Sequence, residues 1–94
     1  MATYPLTVQE CELLARAADM AGSRFARQEN DTGTRVMEAL IAHLNTRPAT
    51  VALNLVQCEV LAKMLMNLAY DLFRENQDAQ AEIAEALAER FFDN

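Results

Sequence analysis

The segment from Leu53 to Arg74 limits the possible folds most, because it is too apolar for an ordinary surface helix. As one helix it makes about six turns and is roughly 30 Å long. A helical wheel centred on Leu65 places a continuous apolar stripe on one side. The stripe consists of Cys58, Leu61, Ala62, Leu65, Leu68, Ala69 and Leu72. We therefore expect this helix to be covered on more than one side, by its own chain or by another.

The same helix carries more apolar side chains on both flanks of the stripe. These flanking residues are Val56, Val60 and Met64 on one side, and Met66, Tyr70 and Phe73 on the other. Met64, Met66, Tyr70 and Phe73 cannot all face one four-helix core, so we predict that they form an interface with a partner. The alternative is that this helix is the central one and that the other helices bury both flanks.

Composition favours helices over strands throughout the chain. The hydrophobic share of 52% comes mainly from Ala, Leu and Met, which lose little side-chain freedom in a helix. With 94 residues, two Gly and two Pro, the chain has room for one domain. We predict an all-α four-helix bundle in which residues 1–94 form a single domain without a sheet.

Capping signals divide the chain into four predicted helices. Thr7 and Glu10 have the spacing of a capping box, and Pro48 cannot continue the second helix. The predicted N-caps are Thr7 for the first helix, Asp31 for the second, Thr50 or Asn54 for the third and Asp78 for the fourth. The first helix should end near Arg27 or Gln28.

The two halves of the chain resemble each other at an offset of 47 residues. Ten of forty aligned positions are identical, and Cys11 falls on Cys58. The box Thr7–Glu10 falls on Asn54–Gln57, so matched residues also have matched structural roles. We predict two helical hairpins, at about 6–45 and 53–92, packed around a pseudo-twofold axis. The alternative is two similar amphipathic helices in an alanine-rich chain.

Charge and hydropathy argue against nucleic acid and membrane as direct partners. The net charge is −6, whereas affinity for nucleic acid comes largely from Lys and Arg. Charged and amide residues interrupt the most apolar helix at regular steps, so we expect no membrane span. Because residues 1–10 resemble no signal peptide, we expect a cytoplasmic protein.

The residues that could support catalysis or metal binding are few and badly spaced. His43 is the only histidine, and Glu38 lies five residues earlier, off its helical face. A histidine in the last turn of a helix is explained by the helix dipole. Cys11 and Cys58 lack the spacing of a zinc site, and the chain has no Glu-x-x-His pair. We predict a protein that is not an enzyme and needs no cofactor or metal.

The last predicted helix carries carboxylates at three- and four-residue steps. This acidic ridge consists of Asp78, Glu82, Glu85, Glu89 and Asp93. It could occupy a basic groove by imitating a phosphate backbone, although such a row is commonly only the solvated face of an amphipathic helix.

We therefore predict a small non-enzymatic protein-protein interaction module, a regulator, adaptor or inhibitor that blocks a partner protein. It should form a homodimer through the third helix. The alternative is an acidic decoy that uses the fourth helix to occupy a nucleic-acid-binding site.

Overall fold

The computed structural model describes residues 1–93, which form four helices and one two-stranded sheet. The elements are β1 (Ala2–Pro5), α1 (Val8–Arg27), α2 (Asp31–Leu44), β2 (Thr50–Leu53), α3 (Leu55–Arg74) and α4 (Asp78–Phe92). The mainly helical fold that the composition predicted is confirmed. Asn94, the last residue of the predicted domain, lies outside the described residues.

The prediction that the chain has no sheet is wrong. β1 and β2 pair antiparallel, with Tyr4 opposite Val51, and both of these side chains are buried. Buried and more exposed residues alternate along both strands, as expected for a half-buried ribbon. The sequence hides this alternation because the apolar residues Pro5 and Ala52 occupy exposed positions of the strands. Because Leu53 belongs to β2, the third helix begins at Leu55.

α1 and α3 begin with the same pair of reciprocal hydrogen bonds. The Glu10 N–H donates to Thr7 Oγ1 at 3.1 Å, and the Thr7 N–H donates to Glu10 Oε1 at 2.8 Å. The Gln57 N–H donates to Asn54 Oδ1 at 2.8 Å, and the Asn54 N–H donates to Gln57 Oε1 at 2.9 Å. Each box satisfies two backbone amides at a helix start. The cap predicted at Thr7 is confirmed, and Asn54 rather than Thr50 caps α3.

The caps predicted at Asp31 and Asp78 are wrong by one residue. Asn30 caps α2, since its Oδ1 accepts a hydrogen bond of 2.9 Å from the Gly33 N–H. Gln77 occupies the cap position of α4, but its side chain makes no capping hydrogen bond. Asp31 and Asp78 are the first helical residues, where a carboxylate suits the positive end of the helix dipole. An acidic residue is favourable at both positions, so the sequence pattern could not separate them.

α1 and α3 also end in the same kind of turn. Glu29 and Asn76 have left-handed backbone conformations, with φ of 56° and 62°. The next residue in each turn donates back into the helix at 2.8 Å, from Asn30 N to Phe25 O and from Gln77 N to Leu72 O. These bonds define a Schellman motif. The turns bring α2 against α1 and α4 against α3.

Small residues and one apolar stripe form the core. A Cβ added at Gly22 of α1 would lie 3.4 Å from Met37 Cβ of α2, so these helices approach closely. In α4, Ala81, Ala84 and Ala88 are fully buried. The stripe predicted around Leu65 is at most 4% exposed along its whole length, which confirms the predicted rotation of α3. α1 packs against α3 and so joins the two helical hairpins.

Candidate interaction surface

Three of the four residues predicted to form the interface lie on the outward side of α3. Met66 is 40% exposed, Tyr70 is 65% exposed and Phe73 is 39% exposed. At 100° per residue these positions fall within about a sixth of a turn of one another. We call these three residues the α3 patch.

The fourth residue, Met64, does not belong to this surface. It is only 4% exposed, and its position is turned about 200° from that of Met66 around the helix axis. Met64 instead lies on the side of α3 that carries the buried residues Leu61 and Leu68. Its inclusion in the interface was wrong, because the sequence does not show how far the buried face of α3 extends beyond the central stripe.

Two further apolar residues of α3 are exposed in its first turn, where no surface was predicted. Leu55 is 61% exposed and Val56 is 68% exposed. Val56 was recognised as a flanking residue, but a flank can be buried or open depending on which helices pack beside it. Exposed apolar residues of α3 therefore lie near both ends of the helix, with the exposed Glu59 and Lys63 between them.

A positive charge borders the α3 patch. The guanidinium carbon of Arg74 lies 5.7 Å from the centre of the Tyr70 ring, a distance typical of a cation–π contact. Aromatic residues, Met and Arg are enriched where proteins contact one another. Met66, Tyr70, Phe73 and Arg74 are therefore all of residue types that are enriched at protein interfaces.

The acidic ridge forms one continuous face of α4. Asp78, Glu82, Glu89 and Asp93 are exposed and Glu85 is half-buried. Their positions fall within about a quarter of a turn. Within residues 1–93, none of these five carboxylates forms an ion pair. The ridge is thus a surface of uncompensated negative charge.

A polar groove of about 870 Å³ lies where α1, α3 and the turn after α2 meet. Its charged lining residues are Glu12, Arg16, Asp19, Arg47, Asp71, Arg74 and Glu75. Arg47 Nη2 donates to Glu12 Oε1 at 3.1 Å. Carboxylates and guanidinium groups alternate, so the groove has no preference for one sign of charge. The groove could not be predicted from the sequence, because its residues come from three separate segments.

A buried corner joins β1 to the end of α4. The Tyr4 hydroxyl lies 3.5 Å from Cys58 Sγ, and the Tyr4 ring contacts Phe91 edge-on with centroids 4.8 Å apart. Burial, with the hydrogen bond to Cys58, raises the pKa of Tyr4 to about 12, and the positive charge of Arg90 opposes part of this increase. Tyr4 therefore stays neutral at physiological pH and has a structural role here.

Hydrogen bonds from Arg90 link the end of α4 to the start of α1 and to β1. Its Nη1 donates to Glu10 Oε2 at 2.9 Å, and its Nη2 donates to the Pro5 carbonyl at 2.7 Å. Glu10 uses its other carboxylate oxygen in the capping box of α1. Both oxygens of Glu10 therefore have partners within the protein.

The residues considered for catalysis or metal binding do not converge. His43 is exposed in the last turn of α2, whereas Cys11 and Cys58 are buried thiols. The Cys11 thiol donates to the Pro48 carbonyl at 3.4 Å, and burial raises its pKa, which disfavours the nucleophilic thiolate. Among residues 1–93, no group of three or more His, Cys, Asp or Glu side chains is arranged to hold a metal ion.

Comparison of the chain with known protein families, curated proteins and solved structures finds no match. Within residues 1–93, none of the helices combines the length and the apolarity needed to cross a bilayer.

Proposed function

We propose that this chain is a small non-enzymatic interaction protein that acts by docking the α3 patch on a protein surface and that self-associates through the same face. The single observation that carries the proposal is the outward exposure of Met66, Tyr70 and Phe73 on one side of α3. Moving a fully exposed apolar side chain of this size into a fully buried site contributes roughly 1.5 to 3 kcal/mol. Met66 and Phe73, which are 40% and 39% exposed, would contribute less than this figure. We place this activity in the cytoplasm, where both cysteines would remain thiols as they are here.

The charges around the patch support binding to a protein rather than non-specific adhesion. Arg74 lies over the Tyr70 ring, while Glu59, Lys63 and Asn67 are exposed on the same outward side of α3. A binding surface with an apolar centre and a polar rim excludes water from the centre and orients the partner through the rim. A regulator, adaptor or inhibitor needs such a surface and no catalytic group.

The proposal is tested by placing charges in the patch. Met66→Glu combined with Tyr70→Glu should lower the mass measured by light scattering and abolish binding to a protein partner. Val36→Glu is a matched control, since Val36 is 39% exposed but lies on α2. If the double variant keeps the mass and binding of the parent while circular dichroism shows it folded, the α3 patch is not the binding surface.

A second candidate function uses the acidic ridge of α4 to occupy a basic nucleic-acid-binding site. The observation that favours it is that Asp78, Glu82, Glu85, Glu89 and Asp93 have no ion-pair partner within residues 1–93. Glu85→Lys with Glu89→Lys should then abolish binding to a basic protein, and binding should weaken as salt increases. Binding that is insensitive to salt would exclude this second function.

We further propose that the chain consists of two hairpins of one plan, about residues 6–45 and 53–92, related by a pseudo-twofold axis. At an offset of 47 residues, α1 aligns with α3 and the capping box at Thr7 aligns with the box at Asn54. Glu29 aligns with Asn76, and each of them has a left-handed backbone just beyond the end of its helix. The same offset carries Tyr4 onto Val51, and these two residues face each other in the ribbon. A local twofold axis of an antiparallel pair passes between such facing residues. Ala2 and Thr3 also recur as Ala49 and Thr50.

Separate expression of the halves tests the hairpin plan. Residues 1–47 and 48–94 should each be poorly folded alone, because the first half would expose the side of α1 that packs against α3, and the second half the side of α3 that packs against α1. When mixed, the halves should assemble into a one-to-one complex. Two halves that stay unfolded together would contradict the proposal.

A further inference from the structure

We propose that the α3 face binds the α3 face of a second copy of this chain in antiparallel orientation. This inference rests on the proposed function and specifies its partner and geometry. The outward side of α3 carries six exposed residues at alternating three- and four-residue steps. They are Val56, Glu59, Lys63, Met66, Tyr70 and Phe73, and we call them the outer seam. Such spacing is the a/d repeat of two helices that pack side by side along their length.

The apolar character of this seam is specific to α3. The six positions that precede the seam by 47 residues lie on α1 and are exposed as well. They are Gln9, Glu12, Arg16, Asp19, Ser23 and Ala26. α1 therefore carries polar residues and one alanine where α3 carries Val56, Met66, Tyr70 and Phe73. The two helices begin with the same kind of cap but differ in the polarity of their outward sides, and the outward side is the one available to a second copy.

The charged residues of the outer seam favour an antiparallel over a parallel arrangement of the two α3 helices. In a parallel pair, each seam residue faces its own copy, so Glu59 would face Glu59 and Lys63 would face Lys63. Like charges at such short distance are destabilising. An antiparallel pair with its twofold axis between Lys63 and Met66 avoids both contacts.

The antiparallel register gives each seam residue a compatible neighbour. Val56 faces Phe73 of the second copy, which makes an apolar layer at each end. Glu59 faces Tyr70, whose hydroxyl can donate a hydrogen bond to the carboxylate. Lys63 faces Met66, so that its aliphatic stem lies along the thioether while the ammonium group reaches solvent. The three pairs and their symmetry mates use all six seam residues.

Disulfide cross-linking distinguishes the two orientations. In the antiparallel register, Val56→Cys mixed with Phe73→Cys should form a disulfide-linked dimer under mild oxidation, whereas each variant alone should not. Residue 56 lies about 26 Å from its own copy in this register, because the two positions are 17 residues apart along the seam. A disulfide requires Cα atoms within about 7 Å. We expect at least tenfold more cross-linked dimer from the mixture than from either variant alone.

The controls use cysteines that cannot meet in this register. The unaltered chain contains only the buried Cys11 and Cys58, and Val36→Cys places an exposed thiol on α2. Neither the unaltered chain nor Val36→Cys mixed with Phe73→Cys should cross-link above background. Peptide mapping of the product should identify the 56–73 disulfide.

The outcomes separate this inference from the proposed function. Sedimentation velocity of the unaltered chain should show a dimer that dissociates on dilution, since one pair of helices makes a small interface. A dimer in which each variant cross-links only with itself overturns the antiparallel register and leaves the proposed self-association in place. A chain that is monomeric at every concentration overturns both the antiparallel pair and the proposed self-association.

Discussion

At the centre of α3, Leu65 is completely buried within the core that all four helices share. Replacing it by alanine removes apolar contacts and leaves a cavity that the surrounding helices can only partly close. Leu65→Ala should therefore lower the free energy of unfolding by about 2 to 5 kcal/mol, measured by urea denaturation. Val8→Ala is the control, since Val8 is 57% exposed and its loss should change stability by about 0.5 kcal/mol at most. Equal stability of the Leu65 variant and the parent would contradict the packing described here.

Tyr4 should make stability fall at alkaline pH. In the folded protein its pKa is raised from the ordinary value of 10.0 to about 12, because burial penalises the phenolate. The stabilising contribution of neutral Tyr4 is therefore complete below pH 10 and is lost as the pH rises from 10 towards 12. The free energy of unfolding should decline over this range, and the decline should be smaller in Tyr4→Phe. Identical pH dependence in both proteins would assign the decline to other groups.

The helices differ in how well their ends are capped. α1, α2 and α3 each have a side chain that accepts a hydrogen bond from a backbone amide of the first turn. α4 lacks such a bond at Gln77, although the backbone there is close to that of Asn30, with φ of −102° compared with −93°. The start of α4 is therefore the weakest of the four helix starts, and its stability depends on packing against α3.

A better cap should stabilise α4. Gln77→Asn places at α4 the residue that caps α2, and should raise the free energy of unfolding by about 1 kcal/mol. The reverse change, Asn30→Gln, should lower it by a similar amount, because the longer side chain does not suit the cap geometry. Chemical denaturation of both variants measures the difference. An unchanged Gln77→Asn protein would mean that the first turn of α4 does not limit stability.

At the scale of the whole fold, two ion pairs within residues 1–93 link segments that are distant in sequence. Arg90 joins the end of α4 to Glu10 and to the Pro5 carbonyl, whereas Arg47 joins the turn after α2 to Glu12. The side chain of Glu10 is 16% exposed, while that of Glu12 is 53% exposed. Solvent screens the pair of Arg47 and Glu12 more strongly. The contacts of Arg90 with Glu10 and the Pro5 carbonyl should therefore contribute more to stability.

Removal of each arginine tests this difference. Arg90→Ala should lower the free energy of unfolding by about 1 to 2 kcal/mol, since it removes two charge-assisted hydrogen bonds and leaves Glu10 with only its capping contact. Arg47→Ala should cost less than about 1 kcal/mol. Thermal and urea unfolding provide the measurement. A larger loss at Arg47 than at Arg90 would contradict the ranking.

Local signals were sufficient for much of the helical architecture. The spacing of apolar residues around Leu65 predicts the buried side of α3, and the box at Thr7 predicts the start of α1. Both depend on interactions within a few residues along the chain, which a sequence displays directly. The exposure of Met66, Tyr70 and Phe73 does not follow from this rotation alone, because Met64 lies as far from Leu65 around the helix axis as Met66 does and is buried.

Only the tertiary structure determined the features that depend on residues far apart in sequence. The pairing of Tyr4 with Val51, the contacts of Arg90 and the groove between α1 and α3 require the two halves of the chain to meet. The burial of Met64 and the exposure of Val56 depend on which helices cover each flank of α3. Periodicity defines the direction of a side chain around its own helix axis, whereas packing against other helices determines whether that direction leads to the core or to solvent.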